Sequence, residues 1–121
     1  MRRQLSTIGL FLGCLAVAGG TAILAQDSGK KPSSGGAAVT RGKSVFQQKC
    51  ALCHYDTSNQ KKIGPGLKGI GKRGTFTVNG NKLTDESLKI WIENGDQLMP
   101  PFKDVLETSQ VKDVVAYVKT L

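Results

Sequence analysis

Two cysteines three residues apart, with the chain's only histidine directly after them, form the run Cys50-Ala51-Leu52-Cys53-His54. A disulfide between such close neighbours closes too small a loop to staple a fold. A Cys-x-x-Cys-His run reads instead as a site of covalent haem attachment. The two thiols become thioethers to the haem vinyl groups, and the histidine becomes an axial iron ligand. Two other readings of the pair fit less well. A thioredoxin-like redox pair wants a βαβ context, and no such pattern is visible here. A zinc site would need a second pair of ligands, but the one further cysteine, Cys14, lies in the apolar N-terminal stretch.

That stretch sets the organisation of the chain. Arg2 and Arg3 precede an uncharged run from Gln4 to Gln26, with Ile8 to Ala18 as its apolar centre. A basic start, an apolar middle and a small residue such as Ala25 near the exit are the pattern of a secretory signal, here residues 1–25. Two alternatives stay open. Uncleaved, the stretch is long enough to serve as a membrane anchor, and Leu12-Gly13-Cys14 resembles the end of a lipoprotein box. Residues 26–38, rich in Ser, Gly, Lys and Pro without apolar periodicity, read as a flexible linker. One domain remains, residues 39–121, of about 80 residues. A chain of that size builds a marginal apolar core by itself, and a buried haem would supply the missing apolar body.

Without Arg2 and Arg3 the chain holds 15 Lys and Arg against 9 Asp and Glu, a net charge of +6. The basic residues are dispersed with no arginine-rich stripe, which argues against a nucleic-acid binder. Two readings remain: a merely soluble basic surface, or a patch that steers an acidic partner protein. Lys61, Lys62, Lys68, Lys72 and Arg73 are the densest group.

Along the domain, Val45, Phe46, Lys49 and Cys50 share one side of an expected helix from Val39 to about Cys50, with Thr40 as candidate N-cap. Residues 55–74 carry five glycines and one proline, a density that predicts a loop wrapped on something. Thr75 to Leu83 alternates around Asn79-Gly80, the signal for a short hairpin with a type I′ turn. Thr84 should cap a helix from Asp85 to about Asn94, with Leu88, Trp91 and Ile92 inward and Gly95 as the stop. A last helix is expected from Thr108 to about Lys119, with Val111, Val114, Val115 and Val118 as its apolar face and Glu107 or Thr108 as cap.

Six-coordinate iron needs a second axial ligand. Met99 is the only methionine after Met1, and it sits before Pro100-Pro101 in a segment that cannot be helical. A single methionine is most often core filler. A thioether on rigid backbone also suits a soft iron ligand, and Met/His ligation raises the potential while filling both axial positions.

Taken in order, these pieces resemble the class I, mono-haem c-type cytochromes over about residues 40–121. The matching motifs are Gly42 and Phe46 in a first helix, Cys50-x-x-Cys53-His54, Gly64-Pro65-Gly66-Leu67, Trp91-Ile92-x-x-Gly95, Met99-Pro100, and Val114 with Tyr117 in a last helix. The resemblance implies an all-α cytochrome c fold, three to four helices wrapped around one covalent haem c, with a short β-hairpin near residues 75–83. It implies His54 as proximal iron ligand through Nε2, Met99 as the second, and Cys50 and Cys53 as attachment points. The Pro65 carbonyl would accept from His54 Nδ1–H. Gly42 would let the first helix approach the last. Trp91 or Arg73 would hydrogen-bond a haem propionate, with core packing and surface exposure as the alternatives for each.

The expected function is an exported, periplasmic electron carrier rather than an enzyme, passing single electrons between redox partner proteins with acidic docking surfaces. No nucleic acid is expected, and a membrane only if the N-terminal segment is retained. The alternatives are a membrane-anchored domain of a larger respiratory complex, or a haem enzyme or gas sensor with a labile sixth ligand. No second histidine is available as a distal acid or base for the last of these.

Overall fold

The computed structural model describes residues 34–121, so the expected leader, residues 1–25, and residues 26–33 of the expected linker lie outside the described residues. Four helices follow in order: α1 Ser34–Lys49, α2 Ile70–Arg73, α3 Asp85–Asn94 and α4 Thr108–Val118. α1 crosses α4, and α3 packs on α4.

α1 starts five residues before the expected Val39, so residues 34–38 belong to the helix and not to a linker. Ala37 and Ala38 are strong helix formers, and propensity carries the helix back through them. Thr40 consequently lies inside the helix. Its hydroxyl donates to the Gly36 carbonyl at 3.0 Å instead of capping. Val39 packs on the core from this extended part.

Gly42 is where α1 and α4 meet. A Cβ built there would stand 1.9 Å from the Asp113 carbonyl oxygen and 2.9 Å from Tyr117 Cβ, so the two backbones touch through a missing side chain. Beside it, Arg41 Nε and Nη2 donate to the two Asp113 carboxylate oxygens at 2.6 and 2.9 Å. Asp113 is buried, and this fork satisfies it. One turn on, the Phe46 ring meets the Tyr117 ring edge to face at 5.6 Å. Phe46, Val111 and Val114 are the most deeply buried side chains of the core.

The glycine-rich stretch is not wholly loop. Gly69 and Gly74, both left-handed with φ of 74° and 69°, bound the single turn of α2, and this places Ile70 in the core. The glycines here delimit a helix rather than forbid one. The hairpin expected near 75–83 is reduced to one antiparallel bridge, Thr75 with Lys82. The Phe76 N–H donates to Asn81 O, and the Gly80 N–H returns to Phe76 O, both at 2.9 Å. This closes a wider loop than a two-residue turn. The arms are short, and both Phe76 and Leu83 are drawn into the core, which competes with continued strand pairing.

α3 starts where expected. The Ser87 N–H donates to Thr84 Oγ1 at 3.0 Å, and the Thr84 N–H donates to Ser87 Oγ at 2.8 Å. At the start of α4 the Glu107 N–H donates to Gln110 Oε1 at 3.0 Å. Val111, Val114, Val115 and Val118 are all buried, as their spacing predicts.

Candidate cofactor site

The end of α1 builds the first wall. The Phe46 carbonyl accepts from the N–H groups of Cys50 at 2.8 Å and Ala51 at 2.9 Å, and the Cys50 carbonyl accepts from Cys53 at 3.0 Å and His54 at 2.9 Å. This run of tight turns brings Cys50, Cys53 and His54 to one cavity, with Leu52 largely exposed at its rim. The Lys62 ammonium donates to the Ala51 carbonyl at 2.8 Å and lies 5.3 Å above the Tyr55 ring, tying the next loop to the turn.

Cys50 and Cys53 are not joined to each other in a disulfide. Burial, and then the neighbouring Cys53, pushes the Cys50 thiol up to about 11. A redox-active Cys-x-x-Cys pair needs the opposite, a depressed nucleophile. Nor do the side chains form an ion site: among the described residues, no group of three or more His, Cys, Asp or Glu side chains could hold a metal ion. The pair and the histidine are arranged along a wall, which suits a large prosthetic group better than a bare cation.

His54 is held from two sides. Its Nδ1 lies 2.8 Å from the Pro65 carbonyl oxygen. A carbonyl only accepts, so Nδ1 carries the proton and the Nε2 lone pair is left free for a metal. Gly64 lies against the imidazole, for a Cβ there would stand 2.3 Å from His54 Cε1. The Gly64 N–H donates to the Cys53 carbonyl at 2.8 Å, which closes the loop back onto the thiol turn.

The cavity has a volume of ≈ 350 Å³, and its wall is predominantly apolar. That lies within the range of sites that bury a small organic ligand. Core residues Phe46, Ile70, Leu88, Ile92, Val114 and Val118 also form its wall, so the site is the interior of the fold and not a surface dent. Met99, half-buried, lines the same cavity as His54. Two thiols, an imidazole with a free lone pair, a thioether and apolar walls are a donor set that fits a covalently held haem.

Trp91 also lines the cavity, stacked on Phe76 at 5.2 Å and 26°. Arg73 does not reach it. Its side chain is exposed, and Nη2 donates to Thr77 Oγ1 at 3.0 Å, so Thr77 and not Arg73 forms the wall there. α2 ends at Arg73, and Gly74 turns the chain away.

Three contacts around the site went unread in the sequence. Phe76 supports Trp91. Tyr117 Oη donates to Asp56 Oδ2 at 2.7 Å, joining α4 to the loop after His54. Asp96 accepts from the N–H groups of Leu98 and Met99. Those N–H groups, Met99 first, hold its carboxyl below the usual range. Only the last had a local signal, an Asp two and three residues before the N–H groups it accepts from.

Residues 37–118 match the protein family described as "Cytochrome C oxidase, cbb3-type, subunit III". Cytochrome c of Euglena viridis is 32% identical over 96 residues, covering 67% of this chain and 94% of that one. The cbb3-type cytochrome c oxidase subunit CcoP of Azospirillum sp. (strain B510) is 31% identical over 102 residues. That alignment covers 80% of this chain but only 30% of the relative, so this chain matches less than a third of that subunit's length. Among solved structures, cytochrome c6 from the diatom Phaeodactylum tricornutum superposes with a TM-score of 0.53 at 27% identity, covering 68% of this chain and 91% of that one.

Proposed function

The chain belongs to the cbb3-type subunit III family, is a class I c-type cytochrome and carries one covalent haem c; from that premise we propose an exported single-electron carrier whose iron is held by His54 Nε2 and Met99 Sδ. The observation that carries this reading is the His54 Nδ1–Pro65 contact at 2.8 Å, which leaves Nε2 as the free nitrogen of an imidazole on the cavity wall.

Bound haem supplies the one-electron iron couple. The chain supplies everything around it. Cys50 and Cys53 would tether the group, Pro65 and Gly64 orient the imidazole, Met99 would hold the iron together with His54, and Phe76 with Trp91 forms part of the apolar wall. With His54 and Met99 both holding the iron, the chain would leave no place there for substrate or oxygen, which fits a carrier and not an enzyme. Electrons enter and leave during short docking at the exposed rim of the site. Leu52, Ile63 and Leu98 stand exposed around the cavity, flanked by Lys49 and Lys61, and such a rim suits a small, charge-steered interface with an acidic redox partner.

The basic start and apolar middle of residues 1–25 support export, and in this reading haem attachment and electron transfer take place in the periplasm. A second reading follows from the family match and the alignment with part of CcoP. In it the N-terminal segment is retained and tethers the domain to a membrane oxidase. Among the described residues no helix is long and apolar enough to cross a membrane, so that reading rests on residues 1–25 alone. The intact mass of protein from its native host separates the two.

The ligand assignment is tested with carbon monoxide on the reduced protein. Wild type should resist binding, whereas Met99→Ala should keep its haem, bind carbon monoxide promptly and show a lower potential. Prompt, tight binding by wild type, or an unchanged spectrum in the variant, removes Met99 from the iron.

A further inference from the structure

Met99 lies in a segment without helix or strand, Asp96 to Pro101, yet its main chain is closely held. Asp96 Oδ1 accepts from the N–H of Leu98 and from the N–H of Met99, each at 2.9 Å. The Asp96 N–H in turn donates to the Met99 carbonyl at 2.9 Å. Residues 96–99 are thus closed into a ring by three hydrogen bonds that all involve Asp96. Gly95 backs the ring, for a Cβ there would stand 2.1 Å from the Met99 carbonyl oxygen. Beyond the prolines, Phe102 and Lys103 donate to the carbonyls of Ile92 and Glu93 at 3.1 and 3.2 Å, which returns the chain to the end of α3.

Apart from Met99, whose side chain packs on the core, the residues of this turn contribute little packing. Asp96 and Gln97 are exposed, and Leu98 is 76% exposed. The Met99 main chain is held by the Asp96 side chain, together with the close approach of Gly95. A weak thioether ligand depends on such support, because residues that hold a ligand's orientation tune its bond to the metal.

We propose that Asp96 is the positioning residue for Met99: by accepting the Leu98 and Met99 N–H groups it fixes the backbone from which the thioether reaches the iron. Asp96 itself does not touch the iron. The inference rests on Met99 being a ligand. It makes the carboxylate oxygen important as an acceptor, not as a charge.

Asp96→Asn and Asp96→Ala of the haem-loaded full chain separate those two roles. Asparagine keeps the acceptor oxygen and removes the charge, whereas alanine removes both. The readouts are the sulfur-to-iron charge-transfer band of the oxidised protein, the shifted Met99 methyl resonance of the reduced protein, and the rate at which imidazole displaces the sixth ligand. Asp96→Ala should weaken the band and speed imidazole binding roughly tenfold, the scale of one net hydrogen bond. Asp96→Asn should stay close to wild type. Wild-type band and rate in Asp96→Ala overturn the proposal, and so does an Asn variant as perturbed as the Ala variant. Absence of the band and methyl signal in wild type removes the His/Met reading itself, and the proposal with it. Far-UV melting of both variants shows whether the fold is retained, and if Asp96→Ala fails to fold, Asp96→Asn against Asp96→Ser carries the comparison.

Discussion

Replacing Gly42 by alanine adds one methyl group where α1 and α4 touch, and its cost follows from the distances. The new Cβ would meet the Asp113 carbonyl oxygen at 1.9 Å, its carbon at 2.5 Å and Tyr117 Cβ at 2.9 Å. Two of the three are backbone atoms, so no rotamer change relieves the clash, and the helices must part by at least about 1.5 Å to restore ordinary contact. Phe46, Val111 and Val114 are only 1%, 1% and 0% exposed and pack at this joint. A gap of about 0.5–1 Å already forfeits a quarter to a half of each affected contact, and this separation exceeds it. Overpacking of this kind costs about 1–3 kcal/mol, and a backbone clash belongs at the upper end. The better helix propensity of alanine offsets about 0.5–1 kcal/mol. The net loss is about 2 kcal/mol, which for a domain of this size lowers Tm by about 10 °C. Thermal unfolding of the haem-loaded protein, followed by far-UV circular dichroism, measures it. Gly35→Ala in the same helix is the control, since its Cβ would meet nothing within 4 Å, and its Tm should not fall. Because Phe46, Val114 and Val118 line the cofactor cavity, Gly42→Ala should also loosen the cavity wall and broaden the haem absorption. A Tm within about 2 °C of wild type would refute the close-approach reasoning.

Two further outcomes follow from the site. Gly64→Ala should push the His54 ring away and break its bond to Pro65. That bond raises ligand basicity and so favours ferric iron. Its loss, about 0.5–1.5 kcal/mol, should raise the potential by about 20–60 mV at 59 mV per tenfold change, and an unchanged value in voltammetry would count against the brace. Burial first, then the bond to Asp56, pushes Tyr117 from 10.0 up to about 12. A group whose folded value is raised contributes stability in full below its unfolded value and loses it as pH rises through the folded one. Denaturant midpoints should therefore show wild type exceeding Tyr117→Phe at pH 8, with the gap closing between about pH 10 and 12. A gap that stays constant to pH 12 would contradict this.

The parts of the fold legible in sequence are those written in local chemistry. α3 and α4 begin at Thr84 and Glu107 because side chains three residues apart satisfy the free N–H groups of a first turn, and such pairs are visible in one dimension. The start of α1 was misplaced because Gly35-Gly36-Ala37-Ala38 looks like linker composition, while Val39 has a core to pack on only in the folded chain. α2 was missed because its glycines signal a break, and one buried isoleucine decides the turn. The hairpin expected near 75–83 closed only as a bridge because the core claimed Phe76 and Leu83.

By itself the sequence determined the chemistry available to this protein: two thiols, one histidine and one late methionine, with apolar stripes of helical period to enclose a haem. Those follow from residue identity and short spacing, which need no third dimension. Tertiary structure decided which nitrogen of His54 is free, that Arg73 turns to Thr77 and not to the cavity, that Gly42 admits the Asp113 backbone, and that Phe76 stacks on Trp91. With the exception of Arg73 and Thr77, four residues apart, each joins groups more than ten residues apart in the chain. The balance of core, solvent and backbone acceptors at those places exists only once the helices have met.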